Sequence, residues 1–195
     1  MNIQTHQILD AKGLACPMPI VRTKKALEQM ASGQVLEIQA TDKGSLADIR
    51  SWARTTGHQY LGSTEEGEVL HHFIRKSDPA EVKEERQFPH TATNDELEQR
   101  LREKPQTNVL DVREPAEYAF GHIPGAVSIP LGELEQRIGE LNGLNGQDEL
   151  YIVCRTGRRS DMAAQLLERQ GFKGIRNVIP GMSAWTGPLE KSAGI

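Results

Sequence analysis

The chain of 195 residues has only two cysteines, Cys16 and Cys154. A secreted domain that depended on disulfides would usually carry more, so we expect two unpaired thiols in a reducing compartment. No apolar run approaches the roughly 18 residues that a membrane helix needs, and the first residues lack the basic and apolar regions of a signal peptide. We therefore expect a cytoplasmic protein with no membrane partner.

Neither charge nor histidine content points to a nucleic-acid or metal site. The formal net charge is −4, which gives no large cationic field for direct binding of nucleic acid. His71 and His72 are neighbours on a predicted strand, where successive side chains point to opposite faces, so the pair does not suit one metal ion. We interpret them as surface histidines and predict no metal site.

A charged, proline-interrupted stretch divides the chain into two predicted domains. It follows Arg75 and Lys76, runs from residue 77 to residue 86, and has few large apolar side chains, which is typical of a solvated tether. Domains of about 80 to 100 residues are of ordinary size. We therefore predict a first domain over residues 1–76, a linker over residues 77–92 and a second domain over residues 93–190.

The first domain is predicted to be a two-layer α/β sandwich with a four-stranded mixed sheet and two helices. Its strands are predicted at residues 7–9, 35–40, 60–61 and 69–74. One helix begins at Pro17 and is ended by Gly33, and the other covers residues 45–55 and is closed by Gly57. Packing both helices on one face of the sheet is the simplest arrangement.

In the second domain strands alternate with helices, which predicts a parallel sheet flanked by helices on both faces. A capping box at Thr93 and Glu96 opens the first helix. Strands are predicted at residues 108–112, 126–129, 149–153 and 175–178, with later helices at 115–120, 131–141 and 159–170. In such sheets ligands bind where strand carboxyl ends meet helix amino ends, and Cys154 lies at that kind of edge.

The loop that starts at Cys154 predicts an anion-binding cradle. It is short, contains Gly157 and can turn its backbone N–H groups inward. With the partial positive charge of a helix amino end, it favours a thiolate and can hold a persulfide or the anionic head of a donor such as thiosulfate. The candidate substrate-binding residues are Arg155, Thr156, Gly157, Arg158 and Arg159.

This loop and three other segments resemble the rhodanese family. The segments are LDVREPAEY (110–118), GHIPGA (121–126), CRTGRRS (154–160) and MSAW (182–185), in family order. The resemblance implies a sulfane-sulfur transferase in which Cys154 carries a persulfide. The sequence departs from the family at Pro180-Gly181, where two glycines are common. Asp111 closes its strand at the same edge as Cys154 and is a candidate supporting residue.

Two other interpretations of Cys154 stay open. Cysteine phosphatases and arsenate reductases also hold a cysteine in a cradle of N–H groups closed by an arginine. Phosphatase loops place five residues between the cysteine and the arginine, whereas Arg159 comes one position earlier and leaves less room for a tetrahedral oxyanion. The second interpretation is a buried, inert cysteine. The three nearby arginines argue against it, because they do not suit an apolar pocket.

Cys16 is also predicted at a helix start. Pro17 fits the first helical position, which places Cys16 at the cap, where its thiol faces unsatisfied N–H groups. Pro19 falls within the first turn, where no intrahelical donor is needed. Both prolines are therefore candidate supporting residues that fix a rigid helix start.

The segment around Cys16 resembles the TusA/SirA family of small sulfur-carrier proteins. The matching residues are Asp10, Gly13, Leu14, CPMP (16–19), Lys25, Thr41, Asp42, Gly57 and His58. The resemblance implies that Cys16 holds a persulfide and passes it on by protein contact. Lys12 stands where many members have arginine, which keeps the charge but not the bidentate geometry. The alternative is a cysteine retained for helix packing.

Together the two resemblances predict a sulfur carrier fused to a sulfurtransferase. Sulfur would pass as persulfide between a small anionic donor, Cys154 and Cys16, and then to an acceptor, with a further protein as donor or acceptor. Thiosulfate and a low-molecular-weight persulfide are the expected donors, and no metal or organic cofactor is needed. In the alternative, the first domain is a docking module and only Cys154 turns over.

Overall fold

The computed structural model describes residues 3–79, 88–144 and 149–192 of the chain. These residues form two compact units that divide after Pro79. The predicted linker over residues 77–92 lies partly outside the described residues, because residues 80–87 are not among them. Within the described ranges, every helix is too short or too polar to cross a membrane.

The first unit is a four-stranded mixed sheet with two helices, as predicted. The strand order is β1-β2-β4-β3, in which β1 is parallel to β2 and the other neighbours are antiparallel. Leu36 and Ile38 of β2 pack with Leu27 of α1 and Ile49 of α2, because alternate side chains of a strand share a face. The elements are β1 (Gln7–Asp10), α1 (Met18–Gln29), β2 (Val35–Ala40), α2 (Ser45–Thr55), β3 (Gln59–Glu66) and β4 (Val69–Arg75).

Strand β3 is longer than the sequence predicts. The analysis above assigns only residues 60–61 to this strand, whereas β3 continues to Glu66 and pairs with β4 across a register shift between Tyr60 and Gly62. Because β3 is an edge strand, it tolerates polar residues that show no apolar alternation. The turn is shorter than predicted and includes Gly67, which has a φ of +62°.

His72 is buried, which corrects the expectation of a surface histidine. It lies on the helix-covered face of β4, with its ring nitrogens 2.9 Å from the Ser45 hydroxyl and 3.0 Å from the Tyr60 hydroxyl. Burial, together with the neighbouring His71, lowers the pKa of His72 to about 4. The ring is therefore neutral near pH 7, and one nitrogen can donate while the other accepts.

The second unit is a five-stranded parallel sheet in the order β5-β9-β8-β6-β7. Ile152 of β8 packs in one core cluster with Leu167 of α6, whereas Val153 packs in another with Leu97 of α3. Helices therefore cover both faces of the sheet, as predicted. The elements are β5 (Thr91–Thr93), α3 (Asn94–Glu103), β6 (Asn108–Asp111), α4 (Pro115–Phe120), β7 (Val127–Ser128), α5 (Leu134–Arg137), β8 (Leu150–Val153), α6 (Arg158–Arg169) and β9 (Ile175–Ile179).

Residues 88–92 belong to the second unit, although the sequence analysis places them in the linker. Phe88 is buried in a core cluster with Leu167, and its backbone N–H donates to Asp161 Oδ1 at 3.0 Å. Residues Thr91–Thr93 form β5 and pair with β9. A three-residue strand with two exposed threonines shows no apolar pattern, so the sequence does not reveal it.

The helix predicted over residues 131–141 is a series of shorter turns. A 3-10 helix at Leu131–Glu133 leads into α5, and a second 3-10 segment covers Ile138–Leu144. Glycines at positions 132, 139 and 143 weaken a continuous α-helix. Leu134 and Leu141 are nevertheless fully buried, which explains the helical apolar spacing in the sequence.

Candidate functional site

Cys154 lies at the carboxyl edge of the parallel sheet, between β8 and α6. Val153 of β8 is in register with Asp111 of β6, so both strands end at this edge. The Cys154 side chain is close to fully buried, with 1% of its surface exposed. The sequence prediction of a strand-to-helix loop is confirmed here, and the sulfur lies at the base of that loop.

One backbone donor of the loop is directed at the sulfur, and a hydroxyl of α6 lies close to it. Gly157 is the N-cap of α6 with a φ of +89°, a conformation that favours glycine, and its N–H donates to Cys154 Sγ at 3.1 Å. The Ser160 hydroxyl lies 3.3 Å from the same sulfur. Donors at a helix amino end stabilise an anion at this position. Arg155, Thr156 and Arg158 are half-buried around it.

A second segment holds the loop from the other side. The N–H of Met182 donates to the Cys154 carbonyl at 2.8 Å, and the N–H of Ser183 donates to the Arg155 carbonyl at 2.9 Å. Gly181, just before them, exchanges two hydrogen bonds with the Asn94 side chain, at 3.0 and 3.3 Å. No role is predicted for Asn94 from the sequence. Its position next to the capping box residue Thr93 was the one feature that could have drawn attention to it.

Arg159, predicted to bind substrate, is engaged by a partner inside the unit. Its Nη1 donates to Glu117 Oε2 at 2.8 Å, and its Nη2 donates to Glu117 Oε1 at 3.1 Å. Both side chains are buried. This bidentate pair ties α6 to α4. A contact between Arg159 and a sulfur donor stays a prediction.

Asp111 is likewise part of a buried ion pair. Arg113 Nε donates to both carboxylate oxygens of Asp111, and its Nη2 donates to Asp111 Oδ2 at 2.6 Å and to the Gly121 carbonyl at 2.7 Å. Asp111 is completely buried. The pair fixes the turn after β6, which gives Asp111 a supporting position at the sheet edge.

Cys16 is exposed and lies one residue before the N-cap of α1, not at the N-cap as predicted. The helix α1 begins at Met18, and its N-cap is Pro17, not Cys16. Pro19 occupies the first turn, as predicted, and its carbonyl accepts a hydrogen bond from the Thr23 hydroxyl at 2.8 Å. The helix is capped by a proline, so the thiol precedes the N–H groups that it was expected to face.

The electrostatic setting of Cys16 also differs from the expectation. A hydrogen bond to the Asp48 carboxylate raises the pKa of the Cys16 thiol, with further contributions from desolvation and from the charges of Asp48 and Asp42. Asp48 lies in the first turn of α2. The resting thiol of Cys16 is therefore held protonated by neighbouring carboxylates instead of being ionised by a helix end.

Replacing Asp48 should make Cys16 more reactive. In a Cys154→Ser background, where only Cys16 can react, Asp48→Asn removes the charge that disfavours the thiolate, so the pKa of Cys16 should fall. Alkylation by iodoacetamide near pH 7.5 should then be severalfold faster, because the thiolate is the reacting form. Asp95→Asn removes a charge from the second unit and is the matched control; equal rates in the two variants would contradict the role of Asp48.

Neither sulfur lies near a metal-binding constellation. In the part of the chain that the structure describes, there is no group of three or more His, Cys, Asp or Glu side chains placed to hold a metal ion. His71, which the sequence analysis weighed as a ligand, bonds instead to Glu37 at 2.8 Å.

Comparison with known proteins assigns a family to each unit. A family model described as Sulfurtransferase TusA matches residues 7–76, and one described as Rhodanese-like domain matches residues 93–188. The chain belongs to the proteins that join a TusA sulfur-carrier domain to a rhodanese-like domain. It is thus a sulfur-carrier and sulfurtransferase protein, as both resemblances predict.

Relatives support this assignment over the full chain and over the first unit. The protein YrkF of Bacillus subtilis (strain 168) is 52% identical over 183 residues, which cover 94% of this chain and 97% of YrkF. The sulfur carrier protein TusA of Allochromatium vinosum is 52% identical over 71 residues, or 36% of this chain and 93% of that protein. A rhodanese-like domain protein from Staphylococcus aureus is 34% identical and covers 54% of this chain and 100% of its own, with a TM-score of 0.49.

Proposed function

We propose that this chain relays sulfane sulfur as cysteine persulfides from a small anionic donor, through Cys154 and Cys16, to an acceptor. The observation that carries the proposal is the N–H of Gly157, 3.1 Å from Cys154 Sγ at the amino end of α6. Such donors stabilise negative charge on sulfur. Thiolate and persulfide are both anions, so the same loop serves both.

In the first step the Cys154 thiolate attacks the outer sulfur of the donor, either thiosulfate or a low-molecular-weight persulfide. The thiol proton passes to water beforehand. A new S–S bond forms, the S–S bond of the donor breaks, and the leaving group departs with the electron pair, as sulfite when the donor is thiosulfate. Arg155 and Arg158 supply positive charge to donor and leaving group, and Thr156 and Gly157 supply backbone N–H groups.

In the second step the Cys16 thiolate attacks the outer sulfur of the Cys154 persulfide. One S–S bond forms on Cys16 as the other breaks, and Cys154 leaves as a thiolate, in the manner of thiol–disulfide exchange. The proton of the Cys16 thiol passes to water beforehand, and the Asp48 carboxylate, which raises the pKa of this thiol, opposes that loss. Cys16 is exposed, which lets an acceptor protein reach its persulfide, and Pro17 and Pro19 hold the start of α1 beneath it.

A second candidate function is that the first unit only docks a partner while Cys154 alone turns over. The observation that favours it is the raised pKa of Cys16, which keeps that thiol mostly protonated near neutral pH. The two functions differ in one outcome, which is whether sulfur ever reaches Cys16.

Intact-mass measurement on single-cysteine chains tests the proposal. The Cys16→Ser chain, offered thiosulfate or glutathione persulfide and then freed of donor, should gain the mass of one sulfur atom on Cys154. The loaded chain is then mixed with Cys154→Ser chain, which should acquire that sulfur on Cys16, and iodoacetamide locates it.

The control is the Cys154→Ser chain offered the same donor alone, which should stay unlabelled. Failure of the Cys16→Ser chain to load with either donor would refute the sulfurtransferase step. Loading of Cys154 without passage to Cys16 would favour the docking function.

A further inference from the structure

A buried set of hydrogen bonds that links Cys154 to β9 has no part in the steps above. Ser160 and Asn177 are fully buried. The Ser160 hydroxyl oxygen lies 3.3 Å from Cys154 Sγ and donates to Asn177 Oδ1 at 2.6 Å. Asn177 Nδ2 donates to the Gly157 carbonyl at 3.0 Å. Asn177, on β9, thus bonds to both of the residues that contact the sulfur, Ser160 and Gly157.

The partners of Asn177 fix the orientation of its amide. A backbone carbonyl only accepts, so the amide nitrogen must face Gly157 and the amide oxygen must face Ser160. Asp161 Oδ1, a second acceptor, lies 3.5 Å from the same nitrogen. The amide oxygen therefore offers an acceptor to the Ser160 hydroxyl at all times.

Ser160 has a single hydroxyl hydrogen and two candidate acceptors for it. When Cys154 is a neutral thiol, the short contact to Asn177 takes this hydrogen, and the thiol can itself donate to the Ser160 oxygen. When the sulfur is an anion it needs donors, and a hydrogen bond to a charged acceptor is the stronger one. The hydroxyl hydrogen must then turn from Asn177 to Cys154.

We propose that Asn177 is a positioning residue that holds the Ser160 hydroxyl hydrogen away from Cys154 while the sulfur is neutral and gives it up when the sulfur becomes an anion. This inference rests on the proposed role of Cys154 as the sulfur nucleophile. The released amide oxygen is buried and loses a donor, which costs free energy. Asn177 therefore opposes ionisation of the resting thiol, while its bond to Gly157 keeps the loop N–H on the sulfur.

The charged side chains near Cys154, Ser160 and Asn177 are not substituted in the test. Arg155 and Arg158 belong to the Cys154 loop, and Asp161 of α6 contacts Asn177. The Arg159–Glu117 pair lies where α6 meets α4. The substitutions below leave every one of these groups in place.

The first experiment measures the pH profile of Cys154 alkylation by iodoacetamide in Cys16→Ser chains. Asn177→Val, which suits a strand and removes the competing acceptor, should move the midpoint of the profile to lower pH. Ser160→Ala should move it to higher pH. In the Ser160→Ala chain, adding Asn177→Val should produce no downward shift, because Asn177 acts through the hydroxyl.

Asn94→Val is the matched control, since Asn94 is also a buried asparagine that holds the loop, through Gly181, but has no bond to Ser160. It should not lower the midpoint. The inference is overturned if Asn177→Val leaves the midpoint unchanged or raises it, or if its downward shift persists without the Ser160 hydroxyl.

A second measurement follows Asn177 itself, without substituting it. In the Cys16→Ser chain, the side-chain amide resonances of Asn177 should shift with pH in step with Cys154 ionisation, and this step should vanish with Ser160→Ala. Amide resonances that ignore the Cys154 titration would overturn the inference. No sulfur donor is present in either experiment, so a failure here is distinct from a failure of sulfur loading.

Discussion

Replacing Gly181 by alanine should slow sulfur loading of Cys154 by about 100-fold, the scale expected when a reacting group is displaced by about 1 Å. A Cβ at this position would lie 2.4 Å from the Cys154 carbonyl oxygen and 3.2 Å from that of Arg155. Backbone cannot yield as a side-chain tip does, so the loop must move. The hydrogen bonds from Met182 and Ser183 to the same carbonyls would be lost with it.

The measurement is the rate of persulfide formation from thiosulfate in the Cys16→Ser background, with unfolding in urea to follow stability. Gly171→Ala is the matched control: Gly171 has a similar φ, +88°, but a Cβ there has nothing within 4 Å. Gly171→Ala should lose about 1–2 kcal/mol from its positive φ, and Gly181→Ala about 1–3 kcal/mol, because a φ of +82° with a ψ of −159° is a conformation that essentially only glycine adopts. Only Gly181→Ala should lose loading, and equal loading rates in the two would contradict this role.

Replacing Glu117 by glutamine should destabilise the second unit by about 3–5 kcal/mol, the usual cost of leaving one partner of a buried ion pair without its counter-charge. Arg159 donates two hydrogen bonds to this carboxylate, and both side chains are buried. Glu117 Oε2 also accepts the backbone N–H of Glu114 at 3.1 Å, so the start of α4 weakens as well.

Glu133→Gln is the control for this substitution, because Glu133 pairs with Arg137 at 2.9 Å but the two side chains keep 41% and 36% of their surface exposed. An exposed pair contributes roughly 0–1 kcal/mol, so Glu133→Gln should cost little. The free energy of unfolding of the second unit, from denaturant titration, compares them. Equal losses would mean that the Arg159–Glu117 pair contributes no more than a surface contact.

The bounds of helices and strands are predicted best where burial of one face gives the apolar residues a regular spacing. Strand β2 and helix α2 have the predicted bounds, because apolar residues recur at every second position of β2, at Leu36, Ile38 and Ala40, and because Gly44 and Gly57 flank α2. The edge strands β3 and β5 lack that period, since one side of each strand has no neighbour to bury it. Because β5 is not predicted, Phe88, which lies just before it, is assigned to the linker from the sequence, whereas in the structure it packs in a core cluster.

The position of Cys154 at the candidate site was predictable from the sequence, but the side chains that surround it were not. Cys154 stands out because a cysteine between an apolar strand and a glycine-containing loop is a local pattern. Asn177, by contrast, reaches the site from a strand 20 residues beyond the Gly157 carbonyl that it holds. The cap of α1 at Pro17 and the contact of Cys16 with Asp48 likewise depend on how helices meet, which no local spacing encodes.

The contrast in exposure between the two sulfur atoms bears on their survival under oxidative stress. Irreversible oxidation of cysteine requires both access and thiolate character. Cys154 is close to fully buried, so a peroxide, like a sulfur donor, has only restricted access to its sulfur. Cys16 is open to solvent but is kept in its less oxidisable form by a carboxylate. Overoxidation is thus opposed by restricted access at Cys154 and by protonation at Cys16, and a substitution that removes one of these safeguards leaves the other intact.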